Sequence, residues 1–141
     1  MRFMLIVKAT KTSEEGCMPS ESLLDAMGKY NEEMLKAGVL MELSGLYPSS
    51  KGSRVTFSGG KRVVTDGPFA ETKELIAGFW LIRVNSKEEA IDWARRVPFE
   101  PANGAPEAQI EIRQLFEMED FPISAAVERH RELGKELADR K

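Results

Sequence analysis

Two stretches of this chain repeat one order, a short apolar strand pattern followed by an amphipathic helix pattern, and this repetition constrains the fold most. The strand patterns cover residues 2–8, 39–46, 54–57, 62–65, 77–84 and 109–116, and the helix patterns cover residues 20–37 and 86–97. Strands alternate apolar side chains with a period of two, whereas helices repeat them every three or four residues. This order predicts an α+β fold, a ferredoxin-like antiparallel sheet with a β-hairpin inserted in its middle.

Local signals mark the ends of these elements. Ser22-x-x-Asp25 resembles a capping box at the start of the first helix, and Gly38 is placed as its C-terminal stop. Ser86 opens a second capping box, at the start of the second helix. The pair Gly59-Gly60 lies between the two middle strands and suits a two-residue hairpin turn.

The predicted sheet has two apolar faces, but two helices on one side can cover only one of them. In the first strand Phe3, Leu5 and Val7 share one face, whereas Met4 and Ile6 lie on the other. A bare face of several large apolar side chains exceeds the few hundred Å² that soluble monomers normally expose. Two copies packed face to face would bury both bare faces, so the sequence predicts a homodimer that forms a dimeric α+β barrel.

The composition limits the partners and the chemistry. The chain has 141 residues, which fits one domain, and its 20 Lys and Arg are interspersed with 23 Asp and Glu, so no direct contact with nucleic acid is indicated. The apolar run at residues 3–7 is too short for a membrane span of about 20 residues. With one cysteine, Cys17, and one histidine, His130, a single chain forms neither a disulfide nor a Cys/His zinc site. We expect a cytoplasmic protein without cofactor or metal.

A tail at residues 122–141 follows the predicted α+β domain of residues 1–121. Apolar positions in this tail recur at three- and four-residue spacing, at Ile123, Val127, His130, Leu133 and Leu137. The spacing predicts an amphipathic helix whose narrow stripe docks on the body of the domain or on a partner subunit. His130 is then either a packed interface residue or a histidine that reaches the partner's site.

The run Asp66-Gly67-Pro68-Phe69 concentrates unusual backbone chemistry beside ionisable side chains. Gly67 can adopt a positive φ, Pro68 fixes its own φ at about −65°, and Asp66 can bond its own backbone two residues on. We expect a rigid corner that aims a carboxylate. Asp66 is either a general acid or base, with Glu71 and Lys73 setting the local field, or a residue that only ties down the turn by accepting backbone N–H bonds.

Several segments resemble the YCII-related proteins, specifically the branch named for its Asp-Gly-Pro-Phe signature. The similar segments are residues 1–6, 37–40, 58–61, 64–74, 78–80 and 91–94, and the specific one is 66–74. The resemblance covers roughly residues 1–120 and implies a ferredoxin-like, dimeric α+β-barrel fold. It implies less about function, because relatives include proteins attached to sigma factors and a ring-dehalogenating enzyme.

The resemblance also implies a histidine–aspartate active site in the simpler YCII-like members, but this chain does not complete it. The first helix carries Tyr30 and Asn31 where a histidine would be expected, and the only histidine lies in the tail. A His/Asp mechanism is therefore not carried over to this sequence.

Four residues accompany Asp66 as candidate substrate-binding residues: Tyr30, Phe69, Lys73 and Arg83. Tyr30 lies on the apolar face of the first helix, where it either orients a substrate or packs in the core. Lys73 or Arg83 would hold an anionic group, and the alternative for Arg83 is simply to reach the edge of its strand. Trp80 either stacks on a ring-shaped ligand or packs in the core.

The leading hypothesis from the sequence is a small-molecule-binding protein with a pocket between helix and sheet. In this hypothesis it catalyses proton transfer or elimination on a ring or carbonyl compound, with Asp66 as the acid or base. The alternative is a non-catalytic ligand-sensing or protein-interaction domain linked to transcriptional regulation, since no nucleophile–base pair is evident. An inward-facing Asp66 in an accessible pocket would favour the enzyme.

Overall fold

The structure is a computed structural model that describes residues 1–105 and 107–140; Pro106 and Lys141 lie outside these ranges. The strands are β1 (Arg2–Lys8), β2 (Leu40–Gly45), β3 (Ser53–Ser58), β4 (Lys61–Asp66), β5 (Ile76–Arg83) and β6 (Ile110–Gln114). The α-helices are α1 (Lys11–Glu14), α2 (Glu21–Lys36), α3 (Lys87–Arg95) and α4 (Ala125–Asp139). The α+β class predicted from the sequence is confirmed.

Four strands form one antiparallel sheet in the order β2-β5-β1-β6, and β3 and β4 form a separate two-stranded hairpin. The central strand β1 places Leu5 opposite Trp80 of β5 and opposite Ile112 of β6. The sheet is open, so a single chain closes no barrel, and closure by a second copy stays a prediction. The hairpin inserted between β2 and β5 is confirmed, and every residue of its two strands is exposed.

The hydrophobic core lies between one face of the sheet and the helices α2 and α3. The sheet contributes Phe3, Leu5, Trp80 and Ile82, and the helices contribute Tyr30, Met34, Ala90 and Trp93. Phe3 lies opposite Ile82 and Leu5 lies opposite Trp80, so these four residues share one face of the sheet. They are buried because the helices cover this face. The two βα units therefore place both helices on the same side, as the sequence predicted.

The opposite face of the sheet is apolar at its centre and polar at its edges. Met4 faces Leu81, and Ile6 faces Phe79, and all four side chains are only partly buried. The edge strands add polar and charged residues around them, at Glu42, Ser44, Glu111 and Arg113. We call these eight residues the open face.

The local signals were correct at three helix or turn ends and wrong at one. Ser86 caps α3 by accepting from the Glu89 N–H, and Gly59 and Gly60 both have the positive φ of the predicted turn. Gly38, at φ 74°, follows the end of α2. The predicted Ser22 cap of α2 is wrong, because Ser20 takes this role and also donates to the Asn103 carbonyl, a tertiary contact that the local sequence does not show.

The polar stretch after β1 contains a short helix that the sequence did not predict. Helix α1 begins with a reciprocal capping box, in which the Thr10 side chain accepts from the Ser13 N–H and the Ser13 side chain accepts from the Thr10 N–H. No side chain of this helix is buried. Because α1 has no apolar face, the hydrophobic periodicity that identified the other helices could not reveal it.

Helix α4 follows the domain and buries no side chain of its own in this chain. Leu133 and Leu137 of the predicted stripe are exposed, while Arg131 pairs with Glu119 and Glu128. Docking of this stripe on a partner subunit therefore stays a prediction. In the part of the chain that the structure describes, no helix has both the length and the apolar character needed to cross a membrane.

Candidate functional site

A cavity of about 630 Å³ opens between α2 and the core face of the sheet. Helix α2 lines it with Leu23, Leu24, Met27 and Asn31, the sheet lines it with Val7, Leu43, Gly78 and Trp80, and the connecting segments add Cys17, Met18 and Phe99. This lining is mostly apolar, and its volume lies within the range of about 300–1,000 Å³ that is typical of small-molecule sites. The position between helix and sheet agrees with the pocket expected from the sequence.

Several polar side chains that line the cavity are bonded to the protein itself. Thr10 and Ser13 form the capping box of α1, and Ser20 accepts from the Leu23 N–H while it donates to the Asn103 carbonyl. The Lys8 ammonium lies 3.8 Å from the Glu111 carboxylate. The hydroxyl groups therefore hold the walls in place, and the charge of Lys8 is partly balanced.

One wall of the cavity is built on a buried aromatic cluster. The Tyr30 ring meets the Trp80 ring edge-on at a centroid distance of 5.6 Å, and its hydroxyl donates to the Trp93 carbonyl at 2.7 Å. Trp80 lines the cavity, and its indole N–H donates to the Asn31 side-chain oxygen at 2.8 Å. Tyr30 is thus a core residue that supports Trp80, and its hydroxyl is already used within the protein.

Burial raises the pKa of Tyr30 well above the ordinary value for a tyrosine. Because the pKa is higher in the folded state, the stability that it contributes is present below the pKa of the unfolded chain, about 10, and is lost as the pH rises above it. We predict that Tyr30→Phe lowers the free energy of unfolding by about 1 kcal/mol at pH 7, since one buried hydrogen bond is lost.

The difference between Tyr30→Phe and the wild type should shrink above pH 10, because the variant has no buried phenol to ionise. Urea denaturation at pH 7, 9 and 10.5 measures both effects. The exposed Tyr47 remains in both proteins and serves as an internal control. A gap that stays constant over this pH range would show that Tyr30 does not ionise on alkaline unfolding.

The Asp66 corner lies outside the cavity lining. The Asp66 carboxylate is exposed at the end of β4 and accepts from the Ser53 hydroxyl at 2.7 Å, across the base of the hairpin. The sequence predicted, as one alternative, that Asp66 accepts hydrogen bonds from backbone N–H groups of the turn. In the structure its partner is the Ser53 hydroxyl instead. Gly67 does not have the positive φ that the sequence allowed, and the Gly67–Pro68 peptide bond is cis.

Gly67 is required by close packing of the backbone. A Cβ atom at this position would overlap the carbonyl oxygen of Ser49. The same Ser49 accepts from the Phe69 N–H at 3.1 Å, and its own N–H donates to the Glu14 carboxylate at 2.8 Å. Its hydroxyl also donates to Glu14. The corner therefore anchors Glu14 of α1, next to the segment that forms one wall of the cavity.

The other candidate residues are spread over the molecule. Phe69 packs under the Arg54 guanidinium, which lies 3.8 Å from the ring centroid, and Lys73 is exposed in the 3₁₀ turn Thr72–Glu74. Arg83 is exposed at the far end of β5, about 23 Å along the strand from Ile76. The structure keeps Asp66, Phe69 and Lys73 within one segment near the corner, and it separates Tyr30 and Arg83 from them.

Sequence reasoning noted Asn31 only as a residue that replaces a histidine, and it gave Asn31 no role. The sequence nevertheless contained a sign of this role, because Asn31 directly follows Tyr30, which lies on the apolar face of the helix. A polar amide at the border of such a face needs a partner. Its partner, Trp80, lies 49 residues away, and only the pairing of the helix with the sheet reveals it.

The fold and site define an α+β protein with one open antiparallel sheet and a helix-covered cavity. The family model of the YCII-related domain matches residues 1–119, so the chain belongs to the YCII-related family. It is also similar to an uncharacterized protein of Rhizobium meliloti (strain 1021), with 36% identity in a 91-residue alignment; the match covers 56% of this chain and 73% of that protein. Among the described residues, no three His, Cys, Asp or Glu side chains are grouped as metal ligands.

Proposed function

We propose that this protein is a cytoplasmic homodimer that binds an apolar small molecule in the cavity between α2 and the sheet. The observation that carries the proposal is the cavity itself, about 630 Å³ with a mainly apolar lining that includes Trp80, which packs against the buried Tyr30. Leu23, Met27 and Phe99 provide the kind of surface that buries an apolar ligand.

The lining supports binding better than acid–base catalysis. A general acid or base must lie within hydrogen-bond reach of the reacting group. The residues that the structure describes around the cavity include no Asp, Glu or His; the ionisable residues of the lining are Cys17 and Lys8, and Lys8 lies beside Glu111. Asp66 is exposed on the hairpin. We therefore favour a ligand-binding or ligand-sensing role over the proton transfer or elimination considered from the sequence.

A titration with N-phenyl-1-naphthylamine, an uncharged probe that fluoresces in apolar surroundings, tests the cavity. We predict saturable binding that is weakened at least fivefold by Leu24→Asp, because a bound apolar ligand would force the new carboxylate out of water. The matched control is Leu35→Asp, which changes an exposed leucine on the same helix that does not line the cavity. Asp66→Asn should leave the affinity unchanged. Equal affinities for the two aspartate variants would refute the cavity as the binding site.

The proposed homodimer uses the open face. Its apolar centre, Met4, Ile6, Phe79 and Leu81, is surrounded by charged and polar residues on the edge strands, which is the usual arrangement of a protein interface. A second copy related by two-fold symmetry would bring the same four side chains against themselves. Sheet-to-sheet packing of this kind would also close the α+β barrel.

We predict that Leu81→Lys converts the dimer to a monomer, because two-fold symmetry would bury two unpaired ammonium groups in the centre of the interface. Light scattering coupled to size exclusion, at micromolar protein concentration, measures the molecular mass. Leu35→Lys, on the exposed surface of α2, should leave the mass unchanged. A wild-type protein that is already monomeric at this concentration would contradict the proposed dimer.

A further inference from the structure

The side-chain amide of Asn31 uses its oxygen in a hydrogen bond within the protein, but not its nitrogen. Its oxygen accepts the Trp80 indole N–H at 2.8 Å. Its nitrogen, Nδ2, makes no hydrogen bond among the described residues. Nδ2 is also not enclosed, because the one buried side-chain nitrogen or oxygen without a hydrogen bond in that part of the chain is Nε of Arg131. Asn31 lines the cavity, so a molecule bound there lies beside this amide.

Trp80 determines which way the amide points. An indole N–H is a donor only, so it must face the oxygen of Asn31 and not the NH₂ group. Trp80 itself is held by the edge of the Tyr30 ring, and Tyr30 is held by its bond to the Trp93 carbonyl. The orientation of the NH₂ group is therefore set by the buried core, before any ligand arrives.

Asn31 is distinctive among the polar side chains that line this cavity. The hydroxyls of Thr10, Ser13 and Ser20 are all engaged in hydrogen bonds within the protein. Ser44 also belongs to the lining, but it lies opposite Phe79 in the sheet, at a position of the open face. The ammonium of Lys8 lies beside Glu111, whose strand position belongs to the open face. A ligand in the cavity thus meets an apolar surface with a pre-oriented, uncharged donor at Asn31.

We propose that Asn31 selects an apolar ligand that carries a neutral hydrogen-bond-accepting oxygen, such as a ketone, aldehyde, ester or amide carbonyl. This inference rests on the proposed function, since it requires the cavity to be the binding site. A hydrocarbon would leave the NH₂ group covered and unpaired, which is unfavourable. A carboxylate would lose hydration in this mainly apolar lining, and the one ammonium of the lining, that of Lys8, already lies beside Glu111.

A pair of probes of nearly the same shape tests the inference. 2-Acetylnaphthalene carries the carbonyl, and 2-isopropenylnaphthalene replaces its oxygen with a CH₂ group. We expect the wild type to bind the ketone about three- to tenfold more tightly, as one neutral hydrogen bond allows. The anion 2-naphthoate should bind more weakly than the ketone. Quenching of the intrinsic fluorescence of Trp80 and Trp93, with calorimetry as a second method, measures the affinities.

Two variants assign the difference to Asn31. Asn31→Asp keeps an oxygen for the Trp80 N–H but removes the donor, and Asn31→Leu removes both ends of the amide. In each, the preference for the ketone should disappear, as the ratio of the two affinities reports. Gln114→Glu, an exposed amide-to-acid change outside the cavity lining, should keep the wild-type ratio. Circular dichroism verifies that each variant is folded.

The outcomes separate the two proposals. If neither naphthalene binds the wild type, the cavity is not a ligand site, and the inference fails with it. If both bind with equal affinity, or if the ketone preference survives in both Asn31 variants, the cavity stands and the role of Asn31 is overturned. Tighter binding of 2-naphthoate than of the ketone would contradict the neutral ligand class.

Discussion

Gly67→Ala is expected to destabilise the protein by about 3 kcal/mol, near the upper end of the range for overpacking. The new Cβ would overlap the Ser49 carbonyl oxygen, which is backbone and cannot rotate away like a side chain. The segments at residues 49–52 and 66–69 would have to separate, and this strains the bonds that Ser49 makes with Glu14 and Phe69. The expected fall in Tm is roughly 10 °C.

The matched control for this prediction is Gly28→Ala, which adds the same methyl group inside α2. No atom lies within 4 Å of a Cβ at Gly28. Alanine is favoured over glycine in a helix interior by about 0.5–1 kcal/mol, so Gly28→Ala should raise the Tm. Differential scanning calorimetry of the three proteins measures these changes. A Gly67→Ala variant as stable as the wild type would show that the two segments are not in close contact.

Met34→Ala should lower the free energy of unfolding by about 3 kcal/mol. Met34 is 0% exposed and lies on α2 within the core that contacts the sheet. Truncation removes three heavy atoms from a fully buried site and leaves a void, and such changes cost about 2–5 kcal/mol. Urea denaturation at pH 7 measures the loss as a lower midpoint with an unchanged m-value.

The neighbouring residue provides the control for Met34. Leu35 is 66% exposed on the same helix, so Leu35→Ala should change stability by less than about 0.5 kcal/mol. Both changes introduce alanine at helical positions, so helix propensity affects them almost equally. Similar losses in the two variants would mean that Leu35 is also covered, for example by a partner subunit.

The sequence predicted those parts of the structure that depend on periodicity and on turn chemistry. The alternation of Phe3 and Leu5 against Met4 and Ile6 identified the two faces of the sheet, because the strand period is two regardless of the partner strands. The Gly59-Gly60 turn followed from the need for positive φ at both positions. These features depend on neighbours in the chain, which a sequence displays directly.

The candidate site was less predictable because it depends on contacts between distant segments. The sequence drew attention to Asp66, but the carboxylate bonds to Ser53 and the cavity lies elsewhere. Asn31 acquires its orientation from Trp80, a residue of another element. The sequence correctly drew attention to Gly67, but glycine is needed there because the Ser49 backbone lies so close. No local sequence pattern encodes this contact.

The strand order β2-β5-β1-β6 also has a consequence for biosynthesis. Of the four strands of this sheet, β1 is synthesised first and is central, and Leu5 finds its partners Trp80 and Ile112 only about 75 and 107 residues later. At about 5–20 residues per second, β1 waits roughly 5–20 s before both of its neighbours exist. The nascent chain thus exposes an unpaired apolar strand until β5 and β6 have been synthesised. Changes that weaken β6 should therefore reduce the yield of folded protein in cells more than they reduce the stability of the purified product.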